Sequence, residues 1–106
     1  MSFVFVLSKL LKISERSFLR SLKSFKGLPH RYEIFLKKSN KVFINDSKAT
    51  SFQASRFALE SNKNIFWIVG GMPKLGDKFE LGKLKNNIAK SYIIGNYMKS
   101  FKNQLN

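Results

Sequence analysis

One change of period along this chain does more than any other feature to fix what it can fold into. Lys41-Val42-Phe43-Ile44 is β-branched and aromatic, as a strand requires, whereas Phe52-Gln53-Ala54-Ser55-Arg56-Phe57-Ala58-Leu59 carries apolar residues at helical spacing. Between them stand Asn45-Asp46-Ser47-Lys48-Ala49-Thr50, which bring a carboxylate, an ammonium and three hydroxyl or amide groups to the point where strand gives way to helix. Few structural needs explain such a cluster. The carboxyl ends of strands and the amino ends of helices are where α/β proteins bind ligands, because free N–H groups and the helix dipole favour an anion there, and Lys48 adds a full positive charge.

The rest of the chain extends the same alternation. Phe3 to Leu11 is an apolar helical segment; Ser14 is placed to cap a second helix, whose face is Phe18, Leu19, Leu22 and Phe25; Gly27 ends it, and Leu28-Pro29 is a rigid connection. Tyr32 to Lys37 and Lys41 to Asn45, joined at Ser39-Asn40, read as a hairpin. A helix over Ser51 to Ser61 follows. Ile65-Phe66-Trp67-Ile68-Val69, a continuous apolar run ending in Gly70-Gly71, predicts a strand buried on both faces. Helix Leu81 to Lys90, strand Ser91 to Ile94 and helix Tyr97 to Gln104 complete the pattern. The expectation is an α/β fold: a Rossmann-like, mostly parallel sheet with right-handed crossovers and an edge hairpin, preceded by an N-terminal helical pair.

Composition bounds the function classes. A chain of 106 residues holds one modest core. It has no cysteine, so disulfides and thiolate metal sites are excluded and a reducing cytoplasm fits; His30 is the only histidine, and six scattered acids make a carboxylate metal cage improbable, so no metal site is assigned. The first residues lack a basic n-region and a cleavage site, and no apolar run is long enough to span a membrane, so neither signal peptide nor membrane partner is expected. The charge of +14 points instead to a small basic nucleic-acid-binding protein. Against that, the basic residues are scattered rather than clustered, and Lys outnumbers Arg four to one, so a specific nucleic-acid partner is not expected, although salt-sensitive binding to polyanions is.

Two further motifs carry chemistry. His30-Arg31 follows a proline, and the planar guanidinium suits phosphate oxygens. Gly70-Gly71-Met72-Pro73-Lys74-Leu75-Gly76-Asp77-Lys78 has the look of a phosphate loop but fails it: Asp77 separates Gly76 from Lys78, and Phe79 stands where a magnesium-binding hydroxyl is required. The plain reading of the 45–50 cluster is a turn in which Asp46 and Thr50 cap a helix and Lys48 is solvated. Trp67 and the phenylalanines read as core, although aromatics among lysines also suit a single-strand binder.

Leu28-Pro29-His30-Arg31, an aromatic, Glu33, a strand pair and then Asn45 to Thr50 resemble, in order and spacing, the start of the carboxy-terminal domain of Mur ligases, over about Leu10 to Ile94. Within that family the resemblance is to the branch that adds D-glutamate to UDP-N-acetylmuramoyl-L-alanine. The glycine loop is similar to the family's Gly-Gly-x-x-Lys-Gly-x-Asp-Phe, with Leu75 in place of a glycine and Phe79 one residue late. The resemblance implies that residues 1–27 are the helical tail of a central ATPase domain and residues 28–106 a partial carboxy-terminal domain. It further implies ATP and Mg²⁺ in the full-length family, with transfer of a phosphoryl group to a carboxylate before attack by the amino acid's amine. Arg31 and His30 would then reach the ATP phosphates, Asp46 the ribose, and Lys48 and Thr50 the incoming D-glutamate, Lys48 also acting catalytically. On that basis the chain is expected to lack the phosphate loop, the magnesium carboxylates and the segment that completes the D-glutamate site, to be inactive alone, to bind nucleotide weakly, and to self-associate through exposed faces and an unpaired sheet edge. A non-catalytic interaction module is the remaining alternative.

Overall fold

The computed structural model describes residues 2–105. Helices α1 (Ser2–Leu10) and α2 (Glu15–Ser24) come first, then strands β1 (Glu33–Lys38) and β2 (Lys41–Asn45), helix α3 (Phe52–Ser61) and strand β3 (Ile65–Gly70); a 3₁₀ helix (Gly82–Asn87), strand β4 (Ile88–Ile94) and helix α4 (Met98–Leu105) follow. The class is α/β, with one parallel strand pair and one hairpin.

Local sequence accounts for most of these boundaries. Ser14 caps α2, its hydroxyl accepting from the Ser17 N–H, and Ser51 caps α3 in the same way through the Ala54 N–H. The hairpin turns at Ser39-Asn40, with Ser39 in the left-handed region (φ 53°) and a bulge at Phe35 between the paired residues Ile34 and Leu36. In β3 and β4 the register runs Trp67 to Ser91, Ile68 to Tyr92 and Gly70 to Ile94. Gly70 is required there, since a Cβ would stand 2.0 Å from the Ile94 carbonyl oxygen.

The core is small and lies on one side of the parallel pair. Phe52 and Leu59 of α3, with Leu81 and Leu84, are buried together, and Ile65, Trp67, Phe79, Ile88 and Leu105 pack against them. The ring of Phe79 is central, lying 5.1 Å from Phe52, 6.1 Å from Trp67 and 5.4 Å from Phe101 between centroids. Asn87, buried beneath α3, donates to the Leu59 carbonyl (2.8 Å) and accepts from the Lys63 ammonium, which ties the end of the 3₁₀ helix to the end of α3. No described residue of α1, α2, β1 or β2 enters this core. The helical pair is held by an edge contact of Phe5 with Phe18 at 5.5 Å and a Lys9–Glu15 ion pair at 3.8 Å.

The structure amends four expectations. The phenylalanines are not mostly core: seven of the eleven, Phe25 (65%) and Phe57 (63%) among them, are exposed. The hairpin is not the edge of one sheet with β3 and β4: among the described residues the strands form two separate two-stranded sheets. The segment Leu81 to Lys90 is not an α-helix. Its periodic leucines, Leu81 and Leu84, are three apart, which a 3₁₀ turn serves as well, and Ile88 and Ala89 are already strand. Finally, β3 is not buried on both faces: Ile65 and Trp67 pack on the core and Val69 is half-buried, whereas Phe66 and Ile68 are each 67% exposed. Tyr92 and Ile94 continue that open apolar face on β4.

Open surface is a property of the whole molecule. Its radius of gyration is 17.3 Å, against about 13 Å for a compact chain of this length. It exposes 9080 Å², where the scaling for a compact monomer of this mass gives about 6,100 Å². A chain that retains this much surface has more apolar area to cover than its own core covers.

Candidate functional site

The strap of residues 28–32, ahead of β1, and the loop of residues 45–50, behind β2, are brought together because the antiparallel hairpin returns Asn45 to the level of Glu33. Four contacts then bind one to the other or brace the strap. Asp46 Oδ1 accepts from the Tyr32 N–H at 2.8 Å; the Lys48 N–H donates to the His30 carbonyl at 3.1 Å; Asn45 Nδ2 lies 2.9 Å from His30 Nδ1; and Glu33 Oε2 accepts from the His30 N–H at 2.8 Å. The Tyr32 side chain pins the strap to α3 as well, its ring 5.1 Å from that of Phe57 and its hydroxyl accepting from Asn62 Nδ2 at 2.9 Å.

These bonds hold a backbone that would not otherwise be adopted. His30 and Tyr32, on either side of Arg31, both sit at positive φ (64° and 47°), a conformation that costs a non-glycine residue of order 1 kcal/mol and persists only where the surroundings enforce it. The backbone that carries Arg31 is thereby held in place. The Arg31 side chain, with Tyr32, Asp46, Lys48, Ala49, Ala54 and Phe57, lines a cavity of about 160 Å³.

The predicted site residues therefore separate. Arg31, Asp46 and Lys48 share one cavity, with two cations beside one carboxylate; Arg31 and Lys48 are exposed, and Asp46 is half-buried with one oxygen committed to the strap. His30 is tied to the same loop but does not line the cavity, and exposed Thr50 does not line it either. Neither Asp46 nor Thr50 caps α3. Ser51 does so, and the N–H of Phe52 donates to Asp77 Oδ2 at 2.7 Å. The start of α3 is thus already occupied by a carboxylate from the glycine loop, and the helix dipole is satisfied inside the molecule rather than offered to a ligand. This corrects the expectation of a free helix terminus behind Lys48, and it gives Asp77 a structural role that the loop's sequence alone did not disclose.

Cavity size limits what can enter. The space between Arg31 and Lys48 is open to solvent and smaller than the roughly 300 Å³ of a whole-cofactor pocket, so it can seat a phosphate or carboxylate while the rest of a larger ligand lies outside it. The guanidinium and ammonium fit the anionic end of ATP or an amino acid, and Asp46 fits a hydroxyl donor. Magnesium has no such fit: among the described residues no group of three or more histidines or carboxylates stands together. No helix among the described residues is long and apolar enough to cross a membrane. Sequence reasoning missed Tyr32, Asn62 and Phe57; only the aromatic after Arg31 could have signalled them.

No protein-family model matches the chain. Curated proteins do. The chain is 44% identical over 93 residues to the UDP-N-acetylmuramoylalanine–D-glutamate ligase of Wolbachia sp. subsp. Brugia malayi, covering 88% of this chain and 19% of that protein. It is 44% identical over 89 residues to the ligase of the same name from Agrobacterium fabrum, with 84% and 19% covered. The ligase of Wolbachia pipientis wMel is 37% identical over 99 residues, with 93% and 19% covered. The chain thus spans about a fifth of the length of the curated relatives it matches. Along nearly all of its own length it is related to the Mur ligase family, by similarity to UDP-N-acetylmuramoylalanine–D-glutamate ligases and in keeping with a piece of their carboxy-terminal domain.

Proposed function

We propose that this chain is a partial carboxy-terminal domain of an ATP-dependent, cytoplasmic peptidoglycan-precursor ligase that adds D-glutamate to UDP-N-acetylmuramoyl-L-alanine, and that it is inactive alone. The observation that carries the reading is the convergence of Arg31, Asp46 and Lys48 on one small cavity from two segments of the chain. In this reading Arg31, on the braced strap, binds phosphate oxygens of ATP, and His30 supports it. Asp46 accepts from the ribose. Lys48 holds the carboxylate of D-glutamate and offsets charge as the amine of D-glutamate attacks the activated acid and phosphate leaves, and the Thr50 hydroxyl hydrogen-bonds the same amino acid. These are roles of positioning and charge neutralisation, which is how such transfers are accelerated. ATP and Mg²⁺ supply the activation of the carboxylate in the intact enzyme; the described residues of this chain hold no cluster of ligands for the metal.

Residues 1–27 act as the tail of the preceding domain in this reading. Support comes from their leaving no described residue in the core and from the exposure of Phe3 (79%) and Leu10 (73%), surfaces that fit a neighbouring domain better than solvent. The test is to graft residues 28–94 into the corresponding stretch of the Agrobacterium fabrum ligase and follow D-glutamate-dependent ADP release. The graft is expected to turn over and Lys48→Ala within it to abolish product. A graft that folds and is inactive, or one indifferent to Lys48→Ala, would remove the chain or the lysine from this function.

A further inference from the structure

Asn45 does not line the cavity, yet both ends of its side-chain amide are engaged beside it. Its Oδ1 accepts from the Ser47 N–H at 3.1 Å, and that bond fixes which end of the amide is oxygen. The NH₂ end therefore faces His30 Nδ1 at 2.9 Å. An amide NH₂ can only donate, so Nδ1 must accept, which requires the neutral imidazole with its proton on Nε2. The Glu33 carboxylate lies 3.7 Å from Nδ1 but accepts its hydrogen bond from the His30 backbone N–H instead. Asn45 thus ties the His30 ring, between Leu28-Pro29 and Arg31, to the loop behind β2.

We propose that Asn45 is a positioning residue: it fixes His30 as the neutral Nε2–H tautomer, a hydrogen-bond donor rather than a base, and through His30 locks the strap that presents Arg31 beside Lys48. What the presented arginine is for rests on the ligase reading; the lock itself does not. Asn45 acts together with the Asp46–Tyr32 and Lys48–His30 bonds, but those use backbone groups of the strap, whereas Asn45 is the one described residue hydrogen-bonded to the imidazole.

Long-range ¹H–¹⁵N spectra of the full chain test this, because His30 is the only histidine and gives one imidazole pattern. At about pH 8, where a free imidazole is neutral, the parent is expected to show Nε2 protonated and Nδ1 bare. Asn45→Asp replaces the donor by an acceptor and should move the proton to Nδ1; Asn45→Ala should leave a mixture. Inorganic pyrophosphate, followed at the Arg31 Nε–H resonance, should bind Asn45→Ala about three- to tenfold more weakly than the parent, the value of one ordinary hydrogen bond. A tautomer balance unchanged in both variants would overturn the proposal. So would a changed tautomer with unchanged affinity where the parent does bind pyrophosphate. A parent whose Arg31 ignores pyrophosphate while Asn45 still sets the tautomer would support the lock and count against the ligase reading.

Discussion

Removing the Asp77 carboxylate should destabilise the chain more than its place in a glycine-rich loop suggests. Asp77 Oδ2 accepts from the Phe52 N–H at 2.7 Å, in a partly buried position, and Phe52 is the first residue of α3 and a member of the core. Asp77→Ala leaves that N–H without a partner beneath the loop and withdraws a negative charge from the positive end of the helix. A hydrogen bond to a charged group contributes about 1.5–3 kcal/mol, and a charge at a helix end about 0.3–1 kcal/mol, the two being parts of one contact here. The expected loss is therefore about 2 kcal/mol. Asp77→Asn keeps an acceptor and surrenders only the charge, so about 1 kcal/mol should be lost. Urea unfolding followed by tryptophan fluorescence is the assay, since Trp67 is the sole tryptophan and its ring is 6.1 Å from Phe79, two residues beyond Asp77. An Asp77→Ala midpoint within about 0.5 kcal/mol of the parent at constant slope would refute the reasoning. So would Asp77→Asn costing as much as Asp77→Ala.

Three other outcomes follow from the same structure. Leu59→Ala, at the one fully buried side chain among the described residues, should cost about 2–5 kcal/mol by the same unfolding assay, enough to threaten a core this small. Phe66→Ser with Ile68→Ser, both on the open face of β3, should change stability by about 0.5 kcal/mol or less while lowering any self-association seen by sedimentation; a loss above about 2 kcal/mol would mean that face is covered. Oligonucleotide binding measured by anisotropy should be weak and vanish near physiological salt, as expected for scattered charge; sub-micromolar, salt-resistant binding would favour the basic nucleic-acid-binding alternative.

How far the sequence can be read depends on whether a residue's partners are local. The hairpin, α3 and its Ser51 boundary, and the cap on α2 are set by neighbours within a few positions, and they stand where the periodicity puts them. Strand β3 is recognisable as a strand, but its burial is not: an apolar run reports that a strand is apolar on both faces and not that both are covered. The 3₁₀ helix escapes sequence reading because Leu81 and Leu84 satisfy either helical period. At the site, motif order suggests the pairing of Arg31 with Asp46 and Lys48, and the hairpin register explains why it occurs. The contact of Asp77 with the start of α3 crosses 25 residues and has no local signature. The same is true of the Tyr32–Asn62 bond that braces the strap.

If Arg31 and Lys48 are two halves of one ligase site, they have different charges to hold, nucleotide phosphate for the first and amino-acid carboxylate for the second. Steady-state kinetics of the grafted ligase, with ATP and D-glutamate varied in turn, test that division most directly. Arg31→Ala is expected to raise KM for ATP with little effect on that for D-glutamate, and a partial lesion at the other cation, Lys48→Arg, to raise KM for D-glutamate and spare ATP. Equal effects of both variants on both substrates, or none on either, would contradict it.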